Sequence, residues 1–322
     1  MNESSIGSRA PLADVAGKTA FITGGSSGIG LGLARACLDA GMKVAFTWRR
    51  ATHRDAALAI LGANDRDVCA IELDVTDRAA FARAADVAGT AFGNIHLLAN
   101  NAGIGIRAGA AEATFNDWDW GLGVNLGGVV NGVATVLPRM LAHREGAHVF
   151  STASTSGLVV GGGLGVYCTA KFAVVGMMES LRDELAARNI GVSVFCPGFV
   201  RTNLAETEAG RPPVFANDVA KPSTTPPTVT EAALFAKFAQ LAMDPFEAGR
   251  RALEGIRRNE LHILTHAEFT PPIRNRSEAL LAASPTESVP GGRAMAARKY
   301  LTTVYATERD RRLQTKSTSG PS

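Results

Sequence analysis

The sequence has few of the features that mark secreted, membrane-spanning or nucleic-acid-binding proteins. Its 322 residues include only four cysteines, none of them in a CxxC pair, so neither a zinc site nor a disulfide framework is predicted. Basic residues outnumber acidic ones by only 33 to 30, too few to predict nucleic-acid binding. No run of about 18 apolar residues and no signal-peptide pattern is found. We therefore expect a protein of the reducing cytoplasm.

Tyrosine and lysine are also scarce, and this draws attention to one helical segment. The chain has three tyrosines, of which Tyr167 is the sole one before the C-terminal tail, and seven lysines. Lys171 follows four residues after Tyr167, and no other lysine lies between it and Lys43. On a helix, residues i and i+4 share one face. An ammonium group beside a phenol favours the phenolate, so this pair predicts acid–base chemistry at a carbonyl or alcohol.

Short apolar segments alternate with helical patterns from Lys18 to about Thr265. The strand-like segments are KTAFIT, KVAFTW, DVCAIELD, NIHLLANNAG, AHVFSTAS, IGVSVFCPG and ELHILTH. This alternation predicts an α/β fold, a Rossmann-type doubly wound parallel sheet with helices on both faces. Ligands of such sheets bind beyond the carboxyl ends of the strands, where the candidate site residues fall.

We expect three regions: a polar leader (residues 1–16), one Rossmann-type domain (17–267) and a C-terminal extension (268–322) with a disordered end. Residues 199–244 include five prolines and are interpreted as a substrate-binding lid, with a passive surface insertion as the alternative. His262 and His266 are four residues apart in a strand, or about 13 Å, so they cannot share a metal ion. No metal site is predicted.

A glycine-rich turn, TGGSSGIG, follows the first strand and precedes a helix, as a bound pyrophosphate requires. Arg49 and Arg50 follow the second strand, near the expected position of the adenosine ribose. Arginines there suit the 2′-phosphate of NADP, although exposed helix-start residues would look the same and Ser27 adds no second charge. NADP(H) is therefore favoured over NAD(H). Asp74 ends the third strand and is interpreted as an adenine ligand or as an N-cap.

Ser154 lies at the end of a strand, thirteen residues before Tyr167. Its hydroxyl could hydrogen-bond the carbonyl oxygen on which the tyrosine acts. The same segment, STASTSG, contains Ser151 and Ser156, which are alternatives for this role.

Together these motifs resemble those of the short-chain dehydrogenase/reductase family in its short single-domain form. TGxxxGIG occurs at Thr23–Gly30, NNAG at Asn100–Gly103, YxxxK at Tyr167 and Lys171, and PG at Pro197–Gly198. The motifs occur in the order and at the spacing found in the family, over roughly residues 18–202.

The resemblance implies hydride transfer between nicotinamide C4 and a carbonyl carbon. It implies Tyr167 as general acid/base and Ser154 as the donor to the substrate oxygen. Lys171 would bind the nicotinamide ribose and lower the tyrosine pKa, and Asn125 would support a water relay to Lys171. The cofactor-binding residues that it and the motifs imply are Gly24, Ser26, Ser27, Gly28, Ile29, Gly30, Arg49, Arg50, Asp74, Val75, Asn101, Ala102, Gly103, Tyr167, Lys171, Pro197, Gly198, Val200 and Thr202.

The resemblance also implies a homodimer or homotetramer built on two long helices, about Asn116–Ala142 and the Tyr167 helix. The extension is longer than family members commonly carry, so it could cover an interface or embrace a neighbouring subunit. The segment FNDWDWGLGVNLGGVVNGVATVLPRM, the lid and NELHILTH are similar to bacterial dehydrogenases that oxidise benzylic alcohols of lignin-derived aryl ethers.

We therefore expect an NAD(P)(H)-dependent oxidoreductase that interconverts a ketone and a secondary alcohol on a bulky, largely apolar substrate, with aryl compounds among the candidates. Two alternatives are a 3-oxoacyl thioester reductase and, from a different class, a non-catalytic dinucleotide-sensing regulator. Neither nucleic acid nor a membrane is expected as a partner.

Overall fold

A computed structural model describes residues 10–62, 66–217, 241–287, 290–301 and 303–318. Seven parallel strands form one sheet in the order β3-β2-β1-β4-β5-β6-β7. The strands are β1 (Thr19–Ile22), β2 (Lys43–Trp48), β3 (Val68–Glu72), β4 (Ile95–Asn100), β5 (Ala147–Thr152), β6 (Ile190–Cys196) and β7 (His262–Leu264). The predicted doubly wound sheet is confirmed. Its strand order reverses between β1 and β4, which opens a crevice at their carboxyl ends.

Helices cover both faces of this sheet. Those in the described ranges are α1 (Gly28–Asp39), α2 (Ala51–Leu61), α3 (Arg78–Phe92), α4 (Phe115–Leu122), α5 (Gly128–His143), α6 (Gly165–Glu184), α7 (Pro245–Arg257), α8 (Thr270–Ala282), α9 (Gly291–Tyr300) and α10 (Val304–Thr318). One apolar core joins the sheet to α1, α2 and α7, and the other joins it to α3, α4, α5 and α6. Both faces of the strands are thus buried, which explains their nearly continuous apolar sequences.

The helix predicted over 116–142 is a composite of three elements. A π-helical segment, Gly123–Gly127, joins α4 to α5. By length and hydropathy alone, Phe115–His143 could cross a membrane, but 56% of its most apolar window is buried inside the protein. Because the core helices of soluble proteins meet the same criteria, the expectation of no membrane span is unchanged.

The ends of the chain are more closely packed than the sequence suggested. Leu12 and Val15 of the predicted leader are buried, with 1% and 3% exposure. In the extension, Tyr305 of α10 donates a hydrogen bond of 2.8 Å to Glu179 of α6, and Glu308 of the same helix pairs with Arg182. The extension therefore covers the β7 side of its own chain. Helix α10 continues to Thr318, into the segment predicted to be disordered; residues 1–9 and 319–322 lie outside the described residues.

The base of the predicted lid is closed by a short bridge between Val200 and Met243. Backbone hydrogen bonds of 2.9 Å run from Arg201 to Met243 and from Met243 to Phe199. The lid therefore leaves and rejoins the domain at one place, next to the carboxyl end of β6. Residues 218–240 of the predicted lid lie outside the described residues.

Candidate active site

A cleft of about 1650 Å³ lies at the carboxyl ends of the strands. Small-molecule sites are typically about 300–1,000 Å³, so this cleft has room for a dinucleotide and a second ligand together. The structure brings nearly all of the predicted site residues to its wall. Those lining it are Gly24, Ser26, Ser27, Gly28, Ile29, Arg49, Arg50, Asp74, Val75, Asn101, Ala102, Gly103, Asn125, Ser154, Tyr167, Lys171, Pro197, Gly198, Val200 and Thr202.

The predicted pyrophosphate turn connects β1 to α1. Gly28 begins the helix with a φ of +53°, and a Cβ there would lie 3.0 Å from Thr202 Cγ2. Ser27 is the N-cap residue, yet its side chain makes no capping hydrogen bond. The first N–H groups of α1 therefore remain available at the cleft, where the helix dipole favours a phosphate. This backbone cradle fits a dinucleotide.

Gly30 is the exception among the predicted cofactor ligands, since it does not line the cleft. A Cβ at this position would lie 2.4 Å from both the Gly24 carbonyl oxygen and Asn101 Nδ2. Gly30 therefore allows α1 to pack closely behind the turn, and its part in cofactor binding stays a prediction.

The predicted adenosine end of the cleft carries charges of both signs. Arg49 Nη1 lies 3.9 Å from Asp74 Oδ2, and both side chains are more than one-third exposed. Asp74 also accepts hydrogen bonds from the Thr76 N–H and hydroxyl, at 3.0 and 2.7 Å. The N-cap of α3 is Asp77, not Asp74. Asp74 thus stabilises a turn and holds Arg49 loosely, so the guanidinium can turn toward a ligand.

Ser154 and Tyr167 are brought together at the end of β5 and the start of α6. Ser154 follows β5, and its hydroxyl hydrogen-bonds the Tyr167 side chain while accepting from the Ser156 N–H at 3.1 Å. Ser151, by contrast, is fully buried within β5 and lies near Asn100. Of the three candidate serines, Ser154 has the geometry for acting with Tyr167.

Lys171 lies one helical turn after Tyr167, as the sequence predicts. Its ammonium donates a 2.9 Å hydrogen bond to the Thr152 carbonyl oxygen and lies 5.6 Å from the centre of the Tyr167 ring. The side chain is 4% exposed, and burial lowers the pKa of Lys171 to about 8. A partly desolvated ammonium group therefore stands beside the phenol.

The pKa of Tyr167 is raised, whereas the resemblance implied that it would be lowered. Burial raises the pKa of this phenol to about 12, because desolvation disfavours the phenolate. The hydrogen bond with Ser154 lowers the pKa of Tyr167, whereas Lys171 is not among the groups that shift it. The pKa of Tyr167 is therefore raised overall, so Tyr167 is a proton donor at neutral pH, and the lowering by Lys171 stays a prediction.

Asn125 is positioned by the π-helical segment between α4 and α5. Its amide oxygen accepts from the Ile104 N–H at 2.9 Å, and its amide nitrogen donates to the Ile104 carbonyl oxygen at 3.0 Å. A Cβ built on Gly103 would lie 2.9 Å from Asn125 Oδ1 and 3.7 Å from Lys171 Nζ, which places the two side chains at one end of the cleft. The water relay stays a prediction.

Sequence reasoning missed the residues that anchor the lid. Thr207 Oγ1 accepts from the Gly105 N–H at 2.8 Å, and its hydroxyl lies 2.7 Å from the Leu204 carbonyl oxygen and 3.1 Å from that of Gly105. Arg211 donates to the fully buried Asp117 carboxylate at 2.8 Å and stacks on Trp120, with its guanidinium carbon 4.6 Å from the ring centre. The first part of the lid is therefore a fixed wall of the cleft. The sequence signal that could have pointed to this anchor is Asp117, a charged residue inside an otherwise largely apolar helix.

Phe269 and the backbone carbonyl of Thr152 are further site features absent from the predicted set. Among the residues that the structure describes, no group of three His, Cys, Asp or Glu side chains could hold a metal ion.

The sequence profile of the short chain dehydrogenase family matches residues 18–211, more than half of the chain. A Cα-dehydrogenase of Sphingobium sp. (strain NBRC 103272 / SYK-6) is 33% identical over 304 residues, which cover 93% of this chain and 96% of the relative. The chain is a member of the short-chain dehydrogenase/reductase family.

Solved structures of relatives agree with this assignment. A short-chain dehydrogenase from Novosphingobium aromaticivorans is 35% identical with a TM-score of 0.76, covering 93% of this chain and 99% of that one. A short-chain dehydrogenase/reductase from Burkholderia phymatum, in complex with NAD, is 33% identical with a TM-score of 0.75, covering 86% and 99%. The sequence motifs thus belong to a family of oxidoreductases, as the resemblance implied.

Proposed function

We propose that the protein interconverts a ketone and a secondary alcohol on a bulky, largely apolar substrate, with NADP(H) as the preferred cofactor. The observation that carries this proposal is the hydrogen-bonded pair of Ser154 and Tyr167, next to the Lys171 ammonium in one cleft. That arrangement can hold a carbonyl oxygen and exchange a proton with it.

The NAD complex of the Burkholderia phymatum relative supports a nicotinamide dinucleotide in the same cleft. When bound, it supplies or accepts the hydride at the carbonyl carbon. The N-terminus of α1 would hold the pyrophosphate, Arg49 and Arg50 the adenosine end, and Lys171 the nicotinamide ribose.

Positioning of the substrate oxygen, proton transfer and charge stabilisation are assigned to the protein's own side chains. Ser154 donates a hydrogen bond to the carbonyl oxygen and fixes its position. Tyr167, with its raised pKa, holds its proton at neutral pH and delivers it to the oxygen as the alcohol forms. Lys171 stabilises developing negative charge on the phenol oxygen, while Asn125 holds the Ile104 backbone in place beside it.

The rate of ketone reduction should fall as the pH rises above about 8. The pKa of Lys171 is lowered to about 8, so its positive charge is present below that pH and lost above it; Tyr167 loses its proton only at higher pH. The check is kcat/KM for reduction between pH 6 and pH 10. In Lys171→Arg, which stays charged, the alkaline limb should move to higher pH. A rate that climbs steadily from pH 6 to pH 9 would contradict these assignments.

Replacing Arg49 with alanine should weaken NADPH binding by roughly tenfold or more, because a charge-assisted hydrogen bond to phosphate is lost. NADH, which lacks the 2′-phosphate, should bind within about twofold of the wild-type protein. Fluorescence titration of both cofactors measures this difference. Arg139→Ala is the control, since Arg139 pairs with Asp86 and neither residue lines the cleft. Equal weakening of NADPH and NADH binding would contradict the interpretation that Arg49 binds the 2′-phosphate.

The cleft wall supports a bulky apolar substrate. Beyond Tyr167 it includes Ile104, Ile106, Val160, Leu164 and Leu204. The Cα-dehydrogenase that matches nearly the whole chain is a reason to test aryl ketones and alcohols as substrates. The substrate panel also includes steroids, aliphatic ketones and 3-oxoacyl thioesters. Turnover of one bulky class with NADPH is expected. Turnover of the thioester alone would favour the 3-oxoacyl reductase, and cofactor binding with no turnover would favour the dinucleotide sensor.

We also propose a cytoplasmic homodimer or homotetramer built on the helices from α4 to α6. Phe115, Val130 and Leu141 leave apolar surface exposed along α4 and α5, which supports an interface there. The four cysteines are free thiols, and three of them are buried, which supports a reducing compartment.

A further inference from the structure

Two phenylalanines from distant parts of the chain meet on the wall of the cleft. Phe199 directly follows the Pro197–Gly198 turn, whereas Phe269 belongs to the first residues of the C-terminal extension. Their ring centres are 6.1 Å apart with the planes inclined by 47°. Both rings line the cleft that contains Ser154 and Tyr167. The extension therefore contributes a side chain to the candidate active site.

The position of Phe269 is fixed by its neighbours. The Gly198 N–H donates to His266 Nδ1 at 3.2 Å and to Thr265 Oγ1 at 3.3 Å, which ties the end of β7 to the turn. The His266 ring meets the Phe269 ring at 85°, with ring centres 6.4 Å apart. A Cβ on Gly198 would lie 2.8 Å from Phe269 Cε2, so the phenyl ring lies directly against the turn.

His266, Phe269 and Phe199 thus form two successive ring contacts, and both phenylalanines line the cleft. Phe199 is 59% exposed, so part of its side chain is accessible from the cleft that it lines. Aromatic pairs prefer tilted or offset contacts with ring centres about 4.5–7 Å apart, the range already found for these two contacts. A substrate ring in the cleft can contact the phenylalanine pair in the same geometry.

We propose that Phe199 and Phe269 form a binding subsite for an aromatic ring of the substrate and determine specificity for aryl over saturated groups. This inference rests on the proposed ketone–alcohol activity and on the same cleft. The subsite recognises the π-system of the ring, since a saturated ring of similar size offers apolar area without the polarised edge and face.

The test compares benzyl methyl ketone with cyclohexylmethyl methyl ketone. In both, a methylene group separates the ring from the carbonyl, so the reactivity of the carbonyl is matched. The wild-type protein should have a higher kcat/KM for the phenyl compound, and Phe269→Leu should lose roughly three- to tenfold of that preference through KM. The Kd of NADPH should stay unchanged. Phe92→Leu is the control, because Phe92 is the last residue of α3 and does not line the cleft.

Three results distinguish the possibilities. An unchanged phenyl-to-cyclohexyl ratio in Phe269→Leu and in Phe199→Leu would overturn the subsite. A rise in the Kd of NADPH that accounts for the whole loss would also overturn it, because the rings would then contact the cofactor. If the wild-type protein turns over neither ketone, the proposed activity fails for this class. Calorimetric titration of the two ketones into NADP⁺-loaded protein then decides the subsite from their Kd ratio alone.

Discussion

Replacing Tyr167 with phenylalanine should lower the rate of ketone reduction by about 10²–10⁴-fold, to the limit of detection for a slow substrate. The variant keeps the ring that packs against the second core, but it loses the hydroxyl that hydrogen-bonds Ser154 and carries the proton. Cofactor binding should be nearly intact, since α1 and the arginines at the adenosine end are unchanged. Steady-state rates and NADPH fluorescence titration measure the two effects separately.

Tyr305→Phe is the matched control for this substitution. Its hydroxyl is lost from α10, where it donates to Glu179 on the β7 side of the chain, and the rate should remain near wild type. A parallel comparison of Ser154→Ala with Ser156→Ala separates the two cleft-lining serines that follow β5, because Ser154 is the one that hydrogen-bonds the phenol. If Tyr167→Phe kept most of its rate, the catalytic assignment would be wrong.

Replacing Arg211 with methionine should lower the free energy of unfolding by about 3 kcal/mol, the lower end of the range for breaking a buried ion pair. Asp117 is fully buried, and the variant removes the guanidinium that donates to it at 2.8 Å. The Thr114 N–H and the Asn217 side chain still donate to the carboxylate, at 2.9 and 3.2 Å, which limits the loss. Urea unfolding at constant protein concentration measures the change.

The Arg211→Met, Asp117→Asn double variant should recover part of that stability, because it leaves no buried charge without its partner. Arg201→Met is the control: its pair with Asp244 is exposed, and exposed pairs contribute about 0–1 kcal/mol. The KM for a bulky ketone should rise in Arg211→Met, since the anchored lid forms the cleft wall. A change in unfolding free energy below about 1 kcal/mol would show that the anchor is not held by this pair.

The sequence predicted the parts of the site that depend on local spacing and on strand ends. Tyr167 and Lys171 share a helix face because they are i and i+4, and β1 is followed by the glycine turn because short apolar segments alternate with helices. The strand ends meet at one edge in any parallel sheet, so nearly the whole predicted set lines a single cleft. The motif by itself does not separate glycines that contact a ligand from glycines that pack behind them, and the structure shows Gly30 packed against Gly24 and Asn101.

Features that depend on long-range contacts could not be read from the chain. Desolvation raises the pKa of Tyr167 to about 12, an effect of everything packed around the phenol and not of its helix neighbour. The Arg211–Asp117 pair joins residues 94 positions apart, and the contact of Phe199 with Phe269 joins the lid to the extension. Local sequence therefore determined which chemical groups reach the cleft. Only the packing of distant segments decided their proton affinity and the shape of the wall that faces the substrate, because burial and shape depend on all neighbours in space.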